Sequence, residues 1–146
     1  MSNIATVQSI YEAFGQGDVP TILDKISDDC DWEAWEVDNT AQGSGVPWMV
    51  RRTGRDGVAA FFQAVADNLE FHSFEPRNLL EGGNQVAATI KLEATAKPTG
   101  ERFQEEEVHL WTFDADGKVS AFRHYLDTAK HVRVAKGSLA EAGSVA

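Results

Sequence analysis

Three residues near the end of the chain have the types and the spacing for proton chemistry: Glu107, His109 and His124. An imidazole titrates near neutrality and can both take and give a proton; a carboxylate two residues along a strand shares its face and can orient it. All three lie in "EEEVHLWTFDADGKVSAFRHYLDT", Glu105 to Thr128, whose alternation spells two β-strands about an Asp-Gly turn. With Asp116-Gly117 as a two-residue type I′ loop, Ala115 pairs with Lys118. His109 then stands opposite His124, with Cβ atoms about 4.5 to 5.5 Å apart. A turn at Thr99-Gly100 pairs Pro98 with Glu101 and sets Ile90 opposite His109 and Leu92 opposite Glu107. The shared face also carries Glu105, inward like Glu107, and is otherwise apolar, with Ala88, Trp111 and Phe122 on it, whereas Lys91, Glu93, Glu106 and Arg123 take the other. An unpaired polar group on the apolar side costs roughly 1 to 3 kcal/mol. The three therefore mark a cavity lined for chemistry or binding.

Two opposed imidazoles in apolar surroundings resist both being charged and should share one proton near neutral pH, which makes an acid/base pair. The plainer alternative is two buried histidines bonded for structure. Glu107 either orients an imidazole or accepts a proton itself; at the open rim it is simply solvated. His109, His124 and Glu107 also suit zinc by type, but no helical histidine pair or cysteine cluster reinforces them, so no metal is expected. Trp32, Trp35, Trp48 and Trp111 form either an aromatic wall or ordinary core. Trp32 and Trp111 are the stronger pocket candidates, joined by Phe122, Ile90, Leu92, Phe62 and Phe14. Tyr125 and Asp127 count onto the outer face, and Asp127 suits the N-cap of a last helix. Cys30 has no base beside it and reads as buried filler.

Positioning these groups takes the rest of the chain. With 146 residues, 42% hydrophobic, it is long enough for one domain, expected over residues 1–135, with a loosely ordered tail at 136–146. Ile4, Val7, Tyr11 and Phe14 recur at helical spacing over residues 3–14, "VPTILDKI" makes a short second helix, and Val58, Phe61, Phe62, Val65 and Leu69 form the stripe of a third. "CDWEAWEV" alternates as a strand. Residues 39–53 read as a long loop, either a lid or a solvated basic patch around Arg51, Arg52 and Arg55. Four strands follow, near 71–81, 85–97, 101–113 and 118–127. Helices first and a meander afterwards predict an α+β fold, three N-terminal helices packed on a curved antiparallel sheet that encloses a pocket. A net charge of -10 disfavours nucleic acid and anionic membrane surfaces. One cysteine and an opening without basic leader or apolar core point to the cytoplasm.

In its order of helix, "GQGD", helix, "DDCDWE", loop, "RRTGRDGVAAFF" and "DGKVSAFRHYLDT", the chain resembles the SnoaL-like branch of the NTF2-like superfamily over about residues 4–132. The resemblance implies a cone-shaped fold, a homodimer through the outer sheet face and a deep apolar pocket. Counting from the shared turns, the general base of ketosteroid isomerases falls on Ala34 and their oxyanion-hole tyrosine on Ile10, and the Arg and Asp of epoxide hydrolases fall on Ile90 and Leu92. None of these side chains can do that work. The pocket histidine of the polyketide cyclases matches His109, while the aspartate acting with it falls on His124. The expectation is a cofactor-free enzyme doing acid/base chemistry, of cyclase or isomerase type, on a small apolar carbonyl compound, with His109, His124 and Glu107 as its catalytic groups. The alternatives are a non-catalytic binder of a small apolar ligand and a dimerisation module with a vestigial pocket.

Overall fold

The computed structural model describes residues 1–136; the expected tail lies, from Gly137 onward, outside the described residues. Helix α1 (Asn3–Gly15) starts where the Ser2 side chain accepts from the Ala5 N–H, and α2 (Val19–Leu23) where Asp18 accepts from Thr21 and Pro20 occupies the first turn. Strand β1 (Ile26–Trp32) follows, then α3 (Thr40–Gly43), a 3-10 turn (Pro47–Met49), β2 (Arg52–Thr53) and α4 (Gly54–Asn68). The chain ends in β3 (Leu69–Gly82), β4 (Gln85–Ala96), β5 (Glu101–Phe113), β6 (Val119–Tyr125) and α5 (Thr128–Lys136). The strand read at "CDWEAWEV" begins four residues earlier and stops at Trp32, and the long loop contains two short helical pieces and an edge strand.

The six strands form one curved sheet in the order β2-β1-β6-β5-β4-β3. It is not wholly antiparallel: β1 runs parallel to β6, because the chain passes through α4 and the whole meander before returning beside its first strand. His109 pairs with His124 as expected, though not for the expected reason. The turn spans Asp114 to Lys118, held by the Asp114 side chain accepting from the Asp116 and Lys118 N–H groups at 2.9 and 3.0 Å. Phe113 therefore pairs with Val119, and a bulge at Ser120 then restores the register so that Thr112 meets Ala121. Between β4 and β5 the register differs by two residues from expectation. Ala88 faces His109, Ile90 faces Glu107 and Leu92 faces Glu105, because Ala96 pairs with Glu101 across a four-residue loop. A shift of two keeps every side chain on its face. Accordingly Phe103, Glu105, Glu107, His109, Trp111 and Phe113 alternate buried along β5, and Glu106 is exposed.

Helix α1 lays Val7, Ile10 and Ala13 against the concave face of this sheet, and α4 lays Val58, Phe61 and Val65 there. Cys30 is buried in the core, where burial pushes its thiol up to about 12 and keeps it inert. Arginines in and beside the long loop tie it down: Arg51 grips Asp31 with two bonds, Arg52 reaches the Pro47 and Val50 carbonyls, and Arg55, at the start of α4, donates to the Ile26 carbonyl. On the convex face Val108 and Tyr125 are exposed. Among the described residues no helix is long and apolar enough to cross a membrane.

Gly54, at the join of β2 and α4, has φ +72°, and a Cβ there would lie 3.1 Å from the Asp28 carbonyl oxygen. Gly54→Ala is expected to cost about 1 to 2 kcal/mol in urea unfolding, from the left-handed backbone alone. Gly82→Ala, with open space around it, should stay within about 0.5 kcal/mol of wild type.

Candidate active site

Between α1, α4 and the concave face lies a cavity of about 70 Å³ with an almost wholly apolar wall. Of the residues expected to line it, Trp32, Trp111, Phe122, Leu92, Phe62 and Phe14 do so, together with Glu107, His109 and His124. Ile90 faces the same side but is packed in the core and takes no part in the wall. The two histidine rings stand 5.9 Å apart at 90°. They share no hydrogen bond; each has its own carboxylate.

His124 is held by Glu33. The chain leaves β1 at Trp32 and bends at Glu33 into a left-handed conformation, φ 59°, which sends this side chain inward where strand alternation alone does not place it. The carboxylate is 0% exposed. It takes the Nδ1 hydrogen of His124, the His124 backbone N–H at 2.9 Å and, on its other oxygen, the Trp35 indole N–H at 2.9 Å. With Nδ1 committed to Glu33, Nε2 is the ring nitrogen His124 has left to offer the cavity.

His109 is engaged on both sides. Its Nδ1 meets the Tyr11 hydroxyl at 2.8 Å and its Nε2 meets Glu107 at 3.0 Å. Tyr11 oxygen also takes the Trp111 indole N–H at 3.0 Å. An indole nitrogen only donates, so in the arrangement that satisfies every partner the Tyr11 hydrogen goes to His109 Nδ1, and Nε2–H goes to Glu107. The pattern repeats beyond Glu107. Trp48 donates to His131 Nδ1 at 2.8 Å, and His131 Nε2 faces Glu105 and, at 3.4 Å, Glu107. Glu107 is therefore no solvated rim residue; it is buried between two imidazoles.

Glu105, Glu107 and His131 bring ligand-type atoms within 4.8 Å of one another, the composition of a divalent-metal site. The Trp48 bond argues against a metal there. Because His131 Nδ1 accepts, Nε2 carries the hydrogen and has no lone pair to give. The same bond places the proton of this cluster. The neighbouring carboxylates draw His131 up to about 9 against the opposing effect of burial, but a hydrogen on Nδ1 would point at the indole N–H. The extra proton accordingly resides on Glu105, which burial raises to about 7, while Glu107 stays well below the usual range, since bonds from His109 and His131 outweigh its burial.

Residues 7–122 match the model of the SnoaL-like domain family. The chain belongs to the SnoaL-like family. Among solved structures, this SnoaL-like chain is similar to an NTF2-like protein of unknown function from Burkholderia pseudomallei K96243, 28% identical over 93% of this chain and 99% of that one, TM-score 0.78. A candidate SnoaL-like polyketide cyclase from Mesorhizobium loti is 28% identical over 86% and 99%, TM-score 0.65. A candidate isomerase from Rhodopseudomonas palustris is 18% identical over 94% and 98%, TM-score 0.70, and speaks for the fold alone. A search of curated proteins returns no match.

The SnoaL-like site contains residues that the sequence patterns did not single out: Tyr11, Glu33, Glu105 and His131. Tyr11 and Glu33 are direct chain neighbours of Ile10 and Ala34, the positions reached by counting from the turns. The two imidazoles are also driven apart. Burial lowers His109, and the pull of Glu107 does not make up for it. Burial acts against charge on His124 too, but there the Glu33 carboxylate wins and the net shift is upward. By linkage, His124 contributes stability that is complete below its ordinary 6.5 and is lost as pH rises through its raised value; His109 contributes in the opposite sense, losing stability as pH falls below 6.5. In an NMR titration of the imidazole nitrogens, Glu33→Gln should bring the His124 midpoint down and leave His109 below 6.5. An unmoved His124 midpoint would contradict the pairing.

Proposed function

We propose that this SnoaL-like protein is an enzyme that moves protons on a compact apolar carbonyl compound without a cofactor, with His124 as the acid/base. The observation that carries this reading is the Glu33–His124 pair in an apolar cavity: a carboxylate fixes Nδ1 and thereby directs Nε2 to the cavity. Unprotonated Nε2 takes a hydrogen from the carbon beside a carbonyl, leaving an enolate, and Glu33 stabilises the imidazolium so formed. Return of the proton to a different carbon is isomerisation; attack of the enolate carbon on a second carbonyl, whose oxygen takes the proton back from Nε2, is ring closure. His109, with both nitrogens occupied, positions Tyr11 and Trp111 in the wall, and Glu107 holds His109. The acid/base pair of two imidazoles thus becomes one working imidazole and one positioning imidazole. No step uses a metal or organic cofactor.

The cavity volume limits the substrate. About 150 Å³ accommodates a benzene ring, so about 70 Å³ suits a ligand of a few heavy atoms unless Phe14, Phe62 or Phe74 swing aside. The same small volume supports a second reading, a dimerisation module with a vestigial pocket that pairs through Val108 and Tyr125 on the convex face. Exchange of α-hydrogens separates the two without knowledge of the natural substrate. In D₂O the wild type should speed deuterium uptake by acetone or butanone above the buffer rate, more so as pH rises through the His124 midpoint. His124→Gln should remove about 10² to 10⁴-fold of that rate. Tyr11→Phe should have a smaller effect. Binding of these ketones with no exchange makes the protein a ligand binder, and neither binding nor exchange favours the module.

A further inference from the structure

Trp32 presents the one buried side-chain nitrogen or oxygen that has no hydrogen-bond partner among the described residues, its indole Nε1–H. The residue is 1% exposed and forms part of the cavity wall. A donor buried without an acceptor is costly, because water has been stripped from it and nothing replaces it. The other indoles of this fold have all found acceptors: Trp35 on Glu33, Trp48 on His131 and Trp111 on Tyr11. Trp32 is held where it is by packing. It stacks on Phe122 at 4.1 Å and 21°, meets Phe61 at 5.2 Å and Trp111 at 5.8 Å, and sits on β1 beside β6, paired with Phe122. Phe122 and Phe61 both also contact His124, with centroids 5.8 and 6.1 Å away. The unsatisfied donor and the free imidazole nitrogen therefore border the same two phenyl rings.

We propose that the Trp32 indole N–H binds the carbonyl oxygen of the substrate, placing the adjacent carbon toward His124. This rests on the reading of the cavity as a site for carbonyl compounds, and it adds the group that orients the ligand. As negative charge gathers on that oxygen during enolate formation, the indole bond strengthens, so the residue contributes to the step as well as to binding. The ligand is neutral. Among the described residues no lysine or arginine lines the cavity to balance an anion, while Glu107 lies in its wall and Glu33 directly behind His124. The acceptor is thus the oxygen of a ketone or aldehyde rather than of a carboxylate.

The test is a pair of small probes of nearly equal shape, acetone and 2-methylpropene, titrated into protein with ¹⁵N-labelled tryptophan. In the wild type the Trp32 indole N–H resonance should move downfield with the ketone and stay nearly still with the hydrocarbon. Trp32→Phe should lower affinity for the ketone about tenfold, corresponding to about 1.4 kcal/mol, and leave hydrocarbon affinity within a factor of two or three. Equal shifts with both probes, or ketone binding that moves other indole signals and not this one, overturns the assignment; the wild-type spectra decide this even if Trp32→Phe fails to fold. Ketone-specific movement of the Trp32 signal without any α-hydrogen exchange upholds the inference and removes the catalytic reading, so the two fail separately.

Discussion

A carboxylate sealed from water must have all its hydrogen-bonding capacity met from within the protein, and Glu33 is such a group. Its three donors come from two places in the sequence that are far apart, the His124 ring and backbone on β6 and the Trp35 indole just beyond β1. Removing any one partner leaves charge in a medium that cannot solvate it, the situation in which a buried pair becomes strongly destabilising. The left-handed backbone at Glu33 is part of the same arrangement. A non-glycine residue holds that conformation only where its surroundings over-determine it, and here the Phe122 carbonyl, which accepts from the Glu33 N–H at 2.8 Å, and the Gln42 amide, which donates to the Glu33 carbonyl at 3.0 Å, fix both sides of the bend.

The indoles give the rest of the site its direction. A tryptophan N–H can only donate, so each of the three that are bonded decides which way the hydrogens of its neighbours point. From Trp111 the order runs through Tyr11 to His109 and Glu107; from Trp48 it runs through His131 to Glu105, with Glu107 also 3.4 Å from the same ring nitrogen. The two imidazoles thus have like tautomers, each with its hydrogen on Nε2 and directed at a carboxylate of β5. Such a network resists rearrangement, since turning one group would set donor against donor along its length. The site consequently combines a rigid polar frame on one side with a single uncommitted imidazole edge on the other.

The faces of the sheet were legible in the sequence because alternation has a period of two and tolerates errors of two. The register of β4 against β5 lies two residues from the one that a Thr99-Gly100 turn predicts, yet Glu107 and His109 still point inward. At the last turn a longer loop and the bulge at Ser120 cancel, so His109 still meets His124. Helices α1 and α4 followed from their apolar stripes. What periodicity does not encode is where a chain goes after a strand ends. Glu33 reaches the core through a backbone bend with no glycine to announce it, and His131 arrives on a last helix whose docking depends on tertiary contacts, including its own bond to Glu105. The fold was therefore readable, and half of the polar site was not.

The parallel contact of β1 with β6 also governs when the site comes into existence. As the chain leaves the ribosome, β1 emerges with only the two-residue β2 to pair with and waits for some 90 residues before its permanent neighbour is synthesised. The hairpins of the meander are local and close early, whereas strand pairing across such a separation carries the entropy of a long loop and comes late. His124 and its carboxylate are thus brought together in the closing stage of folding, and a nascent chain stopped short of β6 exposes one unpaired edge of β1 with Glu33 lacking its imidazole partner.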